Sequence, residues 1–197
     1  MITLQENTTI LYFGTYNPVH VGHMIIGQYI YENSNAKELW YVVSPQNPFK
    51  KNQTILDDRQ RLHMVNLAIN DPYHVKTSAI EFNLPKPSYT AVTLAHLSEK
   101  YPDKKFAIIM GSDNLVNFHK WKNYDTILEH HQIIVYPRKG KETDRYEGHN
   151  NVHRIVAPEI ELSSTMIRNG IKEGRDVSQM LPYKVWEYLD SNSFYKR

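Results

Sequence analysis

Short apolar runs alternate with longer segments of helical periodicity along most of the chain. Four runs are rich in β-branched and aromatic side chains and almost continuously apolar, which is typical of strands buried on both faces of a parallel sheet. They are residues 9–13, 39–43, 106–110 and 132–136. Residues 74–78 and 153–156 are weaker strand candidates of the same kind.

Three segments between these runs carry apolar residues at helical spacing, namely residues 21–33, 57–70 and 89–100. In the second segment Leu62, Val65 and Ile69 share one face, and Asp57 and Asp58 precede them at a helix start. Strand and helix alternate repeatedly, so we predict an α/β fold with a doubly wound parallel sheet.

The pattern changes from residue 161 onward. Residues 163–165 offer N-cap hydroxyls for a short helix that Gly170 and Gly174 are expected to interrupt, and Pro182 suits the first turn of a final helix. We therefore expect an α/β core over residues 1–160 and a helical tail over residues 161–197, packed together as a single structural unit.

Composition narrows the class of protein. The 41% hydrophobic content indicates a globular chain, and a net charge of +2 is too small to predict a nucleic acid or a membrane surface as a partner. Cysteine is absent, which excludes disulfides, thiolate nucleophiles and cysteine-based zinc sites and fits a cytoplasmic location. No apolar run approaches the roughly 18 residues of a membrane span.

The eight glycines exclude two common phosphate loops. No two are separated by a single residue, so the dinucleotide fingerprint G-x-G-x-x-G is absent. Gly22 and Gly27 have the Walker A spacing, but Gln28 stands where a lysine is required. Any nucleotide must be held in another way.

Residues 13–23 directly follow the first predicted strand, where an open α/β sheet binds ligands. Gly14 would let a ligand approach the backbone. His20 and His23 would share one face of a helix's first turn, where free N–H groups already favour an anion such as a phosphate. A helix cap or a surface group is the plainer alternative for this pair, and a zinc site lacks further ligands.

Residues 14–23 resemble the signature of the nucleotidyltransferase superfamily, in the form Gly-x-Phe-x-Pro-x-His-x-Gly-His. About 140 residues later, residues 163–168 are similar to that superfamily's Ser-Ser-Thr-x-Ile-Arg element, which supplies hydroxyls, helix N-terminal amides and a guanidinium to ATP phosphates. Alone, residues 163–165 would be read as a capping cluster. Together, the two motifs imply a Rossmann-like nucleotide-binding core.

The middle of the chain resembles one branch, the bacterial nicotinate-nucleotide adenylyltransferases. Residues 87–94 match their Pro-Ser-Tyr-Thr-x-x-Thr-Leu segment, residues 109–115 are similar to their Ile-Ile-Gly-x-Asp-x-Leu, with Trp121 downstream, and residues 45–50 resemble their Pro-x-x-Pro-His-Lys loop. The resemblance implies adenylyl transfer from ATP to nicotinate mononucleotide, a step of NAD synthesis, with Mg²⁺ bound through the ATP phosphates. It also suggests a homodimer.

The resemblance further implies a role for individual residues. Catalysis is assigned to His20, His23 and Arg168. ATP binding is assigned to Gly14, Thr15, Gly22, Gly111, Asp113, Ser164 and Thr165. Binding of the mononucleotide is assigned to Lys50, Ser88, Thr90, Ser112 and Trp121, the indole by stacking on the pyridine ring. Without the resemblance, Asp113 is equally well a helix cap, Trp121 a core residue and Lys50 a solvated charge.

Several positions depart from the family pattern. Phe13, Tyr16 and Asn17 replace Gly, Phe and the commoner Asp, and Phe49, Val92 and Lys122 replace His, Asp and an aromatic residue. These changes affect the pyridine end more than the phosphate end. Nicotinamide mononucleotide or phosphopantetheine therefore remains an alternative acceptor, and a non-catalytic nucleotide sensor is the alternative from another class.

Overall fold

The computed structural model describes residues 1–45, 55–141 and 143–196. Strands and helices alternate through most of the described chain. They are β1 (Thr8–Gly14), α1 (Val21–Glu32), β2 (Glu38–Val43), α2 (Asp58–Ala68), β3 (Val75–Ser78), α3 (Thr90–Lys100), β4 (Lys105–Gly111), α4 (Ser112–Val116), α5 (Tyr124–His130), β5 (Gln132–Tyr136), β6 (Val152–Arg154), α6 (Ser164–Lys172) and α7 (Tyr183–Ser191). Short 3-10 turns cover Ile80–Asn83, Phe118–Lys120 and Ser178–Met180.

The strands of the described residues form one six-stranded sheet in the order β3-β2-β1-β4-β5-β6, and every neighbouring pair is parallel. Leu11 at the centre of β1 lies opposite Trp40 of β2 and Ile108 of β4. The order reverses between β1 and β4, because the chain first builds outward from β1 through β2 to β3 and then returns to β4. The predicted doubly wound parallel sheet is confirmed.

Two apolar layers cover the two faces of this sheet. Ile10 and Leu39 face a layer that contains Ile26 of α1, Met64 of α2 and Val185 of α7. On the opposite face, Leu11 and Ile108 pack with residues of α3, α4 and α5, among them Leu94, Leu115 and Ile127. Strand residues therefore alternate between the layers, and α6 and α7 belong to the first of them.

Local capping explains where two of the helices begin. The side chain of Asp57 accepts a hydrogen bond from the backbone of Arg59, so α2 starts at Asp58, one residue later than predicted. Ser163 accepts a hydrogen bond from Met166 N at 3.2 Å and caps α6. The capping role expected for residues 163–165 is thus confirmed at the first of them.

Two expectations for the C-terminal segment were wrong. Gly170 lies inside α6 and does not interrupt it. Its role is to allow close packing, because a Cβ at this position would come within 2.6 Å of the Val177 side chain. Pro182 is the N-cap of α7 and not a residue of its first turn. Gly174, with a φ of +71°, does follow the end of α6.

A fully buried arginine joins three separate segments at the carboxyl edge of the sheet. Arg61 of α2 donates to the carbonyls of Ser44 at 2.8 Å, Leu56 at 2.9 Å and Pro45 at 3.2 Å, and also to the carbonyl of Thr15. It forms an ion pair with Asp58 as well. Because these carbonyls belong to chain that leaves β1 and β2, Arg61 fixes the loops at that edge.

We predict that Arg61→Met destabilises the protein by about 3 kcal/mol, since buried carbonyls and one carboxylate lose their donor. Urea denaturation measures the loss. Arg59→Met is the matched control, because Arg59 is an exposed residue on the same helix. Equal stability losses in the two variants would contradict the assigned role of Arg61.

Within the three described ranges, no helix is both long and apolar enough to cross a membrane.

Candidate active site

A crevice opens at the carboxyl edge of the sheet, where β1 and β4 lie side by side and their following helices leave on opposite faces. Its larger cavity has a volume of about 630 Å³. Residues from the ends of β1 and β4, from the start of α3 and from the segment around Trp121 line it. This is the switch point at which open α/β sheets bind their ligands.

The β1–α1 loop, residues 15–20, folds back on the strand that precedes it. Tyr16 adopts a left-handed φ of 47°, and its hydroxyl donates to the carbonyl of Tyr12. A Cβ at Gly14 would lie 2.7 Å from Cζ of this ring. The missing side chain at position 14 therefore leaves the space that the Tyr16 ring occupies. Gly14 also lines the larger cavity, as does Thr15.

His20 and His23 lie together at the start of α1, as the sequence predicted. Their rings are stacked with centroids 3.7 Å apart. The backbone N–H of His20 donates to Nδ1 of His23 at 3.3 Å, which places the proton of a neutral His23 ring on Nε2. His23 is only partly buried, whereas His20 is 4% exposed.

The pKa of His20 is lowered from 6.5 to about 4, first by burial and then by the positive charge of Arg138. His20 is therefore neutral at physiological pH. A neutral ring can donate a hydrogen bond to a phosphate oxygen without contributing a full charge, so the charge at this site comes from other residues.

The start of α6 brings the second motif, residues 163–168, into contact with the first motif, residues 14–23. Ser164 Oγ donates to the carbonyl of Pro18 at 2.9 Å, and Arg168 Nη1 donates to the carbonyl of Asn17 at 2.8 Å. Arg168 Nη2 also donates to Thr165 Oγ1 at 3.2 Å. Two motifs separated by about 140 residues in sequence are thus in direct contact, and the N-terminus of α6 lies at the β1–α1 loop.

Gly22 allows the β1–α1 loop and the segment before α6 to pack closely. A Cβ there would come within 3.0 Å of His20 Nδ1 and 3.2 Å of the Ile160 side chain. Gly22 therefore keeps His20 and the chain that leads to α6 close to α1. The structure shows packing as the reason for glycine at this position.

The larger cavity collects most of the residues predicted to bind the mononucleotide. Ser88, Thr90 and Trp121 all line it. The indole of Trp121 packs edge-on against Phe118, with ring centroids 5.5 Å apart. Lys122 Nζ lies 4.8 Å from the centre of the Tyr89 ring. Lys50 and Phe49 lie outside the described residues.

The ends of β4 and β5 are tied together at the same edge. Ser112, predicted to touch substrate, is 4% exposed, and its hydroxyl accepts a hydrogen bond from Arg138 N at 2.8 Å. Asp113 lies in the first turn of α4, and its Oδ1 would be 2.2 Å from a Cβ at Gly111. Asp113 borders a smaller cavity of about 260 Å³, together with Arg138 and Glu161.

Sequence reasoning missed three polar residues at this edge, Arg138, Asn114 and Glu81. Arg138 lies two residues after the end of the predicted strand 132–136, and the rule that ligands bind at carboxyl ends of strands could have found it. Its guanidinium is close enough to His20 to lower that pKa, and Nη1 donates to the Ile160 carbonyl at 3.2 Å. Asn114 and Glu81 line the larger cavity, and no local pattern marks them.

No group of three or more histidine, aspartate or glutamate side chains among the described residues is arranged to hold a metal ion.

Comparison with known proteins places this geometry in a class. The family model described as "Cytidylyltransferase-like" matches residues 11–170, which include both motifs. The chain therefore belongs to the cytidylyltransferase-like nucleotidyltransferases. It is 56% identical over 189 residues to the "Probable nicotinate-nucleotide adenylyltransferase" of Flavobacterium johnsoniae, covering 95% of this chain and 98% of the relative. The relative of the same name in Flavobacterium psychrophilum is 52% identical with the same coverage.

At these identities the chain belongs to the nicotinate-nucleotide adenylyltransferase family. A solved structure supports the fold independently. The nicotinic acid mononucleotide adenylyltransferase of Plasmodium falciparum, complexed with NaAD, superposes with a TM-score of 0.82 at 16% identity. The match covers 97% of this chain and 98% of the other.

The buried neutral His20 makes stability depend on pH. The unfolded ring binds a proton below its ordinary pKa of 6.5, whereas the folded ring does so only below about 4. The free energy of unfolding contributed by this residue is therefore complete above pH 6.5 and is lost as the pH falls toward 4, by about 3 kcal/mol.

We predict that His20→Gln removes this part of the decline, as measured by urea denaturation at several pH values. His131 and His153, whose pKa values are also lowered by burial, remain in both proteins. Parallel curves for the wild type and the variant would show that His20 is not the group responsible.

Proposed function

We propose that this chain transfers the adenylyl group of ATP to nicotinate mononucleotide, giving nicotinate adenine dinucleotide and pyrophosphate as a step of NAD synthesis. The observation that carries the proposal is the contact between the two motifs, through the hydrogen bonds from Ser164 and Arg168 to the β1–α1 loop. The identity of the chain to relatives that carry this name supports it.

The phosphate of the mononucleotide attacks the α-phosphorus of ATP directly. That phosphate is ionised at neutral pH, so the reaction needs no protein base, and no covalent enzyme intermediate forms. Catalysis then rests on positioning the reactants and stabilising charge on the phosphoryl group in the transition state. His23 Nε2, which carries the ring proton, donates to an oxygen of the α-phosphoryl group, with His20 stacked behind it.

The N-terminus of α6 binds the departing pyrophosphate. Ser164 and Thr165 present free backbone N–H groups there, Thr165 adds a hydroxyl, and Arg168 adds a positive charge. The hydroxyl of Ser164 is already used in the hydrogen bond to Pro18. Arg138 brings a second guanidinium to the same edge from the end of β5. We assign it to the triphosphate as well, and we assign Ser112 to holding the Arg138 backbone.

The adenosine part of ATP lies toward the ends of β4 and β5. Gly14, Thr15 and Gly22 shape the backbone around the phosphates, and Gly111 and Asp113 border the smaller cavity that accepts the ribose. A divalent cation, which we take to be Mg²⁺, is held by the ATP phosphates and neutralises charge on the leaving pyrophosphate. The guanidinium groups of Arg138 and Arg168 and the N-terminus of α6 stabilise the rest of the negative charge on the pyrophosphate.

The larger cavity, which we call the pyridine pocket, accepts the mononucleotide. Trp121 stacks on the pyridine ring, and Ser88 and Thr90 bind its carboxylate from the start of α3. We keep Lys50 as a ligand of the mononucleotide phosphate on the basis of the resemblance alone. The C-terminal helices are part of the same structural unit, since α6 supplies half of the phosphate site.

Nicotinamide mononucleotide, phosphopantetheine and a sensor without catalysis are the alternatives. These alternatives are separated by assaying pyrophosphate release from MgATP in parallel with nicotinate mononucleotide, nicotinamide mononucleotide and phosphopantetheine. We expect fast release with nicotinate mononucleotide alone, because the pocket combines hydroxyl donors with a stacking indole. Preference for another acceptor would overturn the assignment of the pyridine pocket, and ATP binding without release from any acceptor would favour the sensor.

We predict that His23→Ala lowers kcat by a factor of about 10²–10³, the usual cost of losing a donor to transition-state charge, with little change in unfolding free energy. Steady-state pyrophosphate release measures it. His96→Ala, which removes an exposed histidine from α3, is the control and is expected to leave turnover intact. Near-normal turnover of His23→Ala would contradict the proposed role.

A further inference from the structure

A buried carboxyl group forms part of the wall of the pyridine pocket. Glu81 lies in the 3-10 turn Ile80–Asn83 and is only 2% exposed, yet it lines the cavity beside Ser88. Its Oε1 accepts a hydrogen bond from Thr93 Oγ1 at 2.6 Å. Its Oε2 and the hydroxyl of Ser88 are both buried, and neither has a hydrogen-bond partner within the described part of the chain.

The surroundings of Glu81 disfavour its negative charge. Burial raises the pKa of the carboxyl group, and the hydrogen bond from Thr93 opposes that rise only in part. Among the described residues, the other charged groups that line the same cavity are Lys120 and Lys122. Lys120 Nζ donates to Asn117 Oδ1, Lys122 Nζ lies over the Tyr89 ring, and neither is among the causes of the pKa shift of Glu81.

The proposed substrate would bring a second carboxylate into this pocket. Two adjacent carboxylates, one of them buried, cannot both stay ionised at low cost, so such a pair takes up one proton and holds it between the two groups. Glu81 lines the cavity and its Oε2 makes no hydrogen bond within the described part of the chain, so a protonated Glu81 has this oxygen available to donate to the carboxylate of the ligand.

We propose that Glu81 determines the specificity of the pyridine pocket, binding the carboxylate of nicotinate mononucleotide in its neutral acid form through one shared proton. The proton comes from solvent when the ligand binds and returns to solvent when the ligand leaves. A carboxamide in the same place would instead donate its NH₂ to an ionised Glu81 and take up no proton. The inference rests on the proposed function, because it concerns the acceptor assigned to this pocket.

Two consequences follow for the wild type. At about pH 8, binding of nicotinate mononucleotide takes up close to one proton more than binding of nicotinamide mononucleotide. Above the pKa of Glu81 in the free protein, the ratio of kcat/KM for the acid over the amide falls roughly tenfold per pH unit. Both ligands carry the same phosphate, so its own titration cancels in each comparison.

Calorimetric titration of the wild type in buffers of different ionisation enthalpy measures the proton uptake without any variant. Equal uptake with the two mononucleotides would overturn the proposal. Should nicotinate mononucleotide neither bind nor react, the proposed function itself fails. Binding and turnover without the extra proton would refute only the role of Glu81.

Two substitutions test the same claim through the pH profile. Glu81→Gln keeps a neutral donor in place, so the acid-over-amide ratio is expected to become independent of pH. Thr93→Val leaves the carboxyl group but removes a hydroxyl that lowers its pKa, so the fall in the ratio is expected to begin at higher pH.

A merely structural role predicts a different result. Glu81 would then only anchor α3 through Thr93, and both variants would lose use of both acceptors to the same degree with no change in the pH profile. That result would contradict the proposal, as would selective loss of the acid at every pH in a folded Glu81→Gln protein.

Discussion

Two hydrogen bonds from α6 to consecutive carbonyls of the β1–α1 loop hold the proposed site together. Ser164 and Arg168 donate to Pro18 and Asn17, which precede them by about 150 residues. Without these bonds the two helix N-termini would be separate features on one face of a sheet. With them, α1 and α6 form one concentration of backbone N–H groups beside the end of β1, where an open parallel sheet already places its ligand site.

The charges at this edge favour the binding of an anion, and the proposed reaction does not need a side chain that transfers a proton. Arg138 and Arg168 supply full positive charges, and the same Arg138 helps to keep His20 neutral. His23 is oriented by a backbone donor to its Nδ1, so it presents a proton on Nε2. A site built in this way suits the transfer of a charged group between two ionised partners. Arg61 supports the site as well, because it binds the carbonyls that begin the loops after β1 and β2.

Much of the fold was accessible from the sequence because its signals are local. Continuous apolar runs marked the strands, and the hydroxyl of Ser163 and the carboxylate of Asp57 marked two helix starts. The short helices α4 and α5 have too few turns to show a period, and the predictions missed them. Gly170 was misjudged because its reason is a contact with Val177, which no local pattern reveals.

The residues of the candidate site also differ in whether a local sequence pattern predicts their position. His20 and His23 could be paired in advance, because three residues of helix place them on one face. Arg61 and Glu81 could not, since charged residues in polar surroundings are ordinarily exposed. Here they are buried because acceptors or donors from distant segments converge on them. For Arg138, the sequence could predict the position after β5 but not the proximity of its guanidinium to His20.

The central claim is a single direct displacement at the α-phosphorus, achieved by positioning and charge. The stereochemical course of the reaction with ATP made chiral at that phosphorus by isotopic or sulfur substitution tests it most directly. Inversion of configuration is the predicted result, since one in-line attack inverts the centre once. Retention would require two displacements through a covalent adenylyl-enzyme, and it would contradict the account.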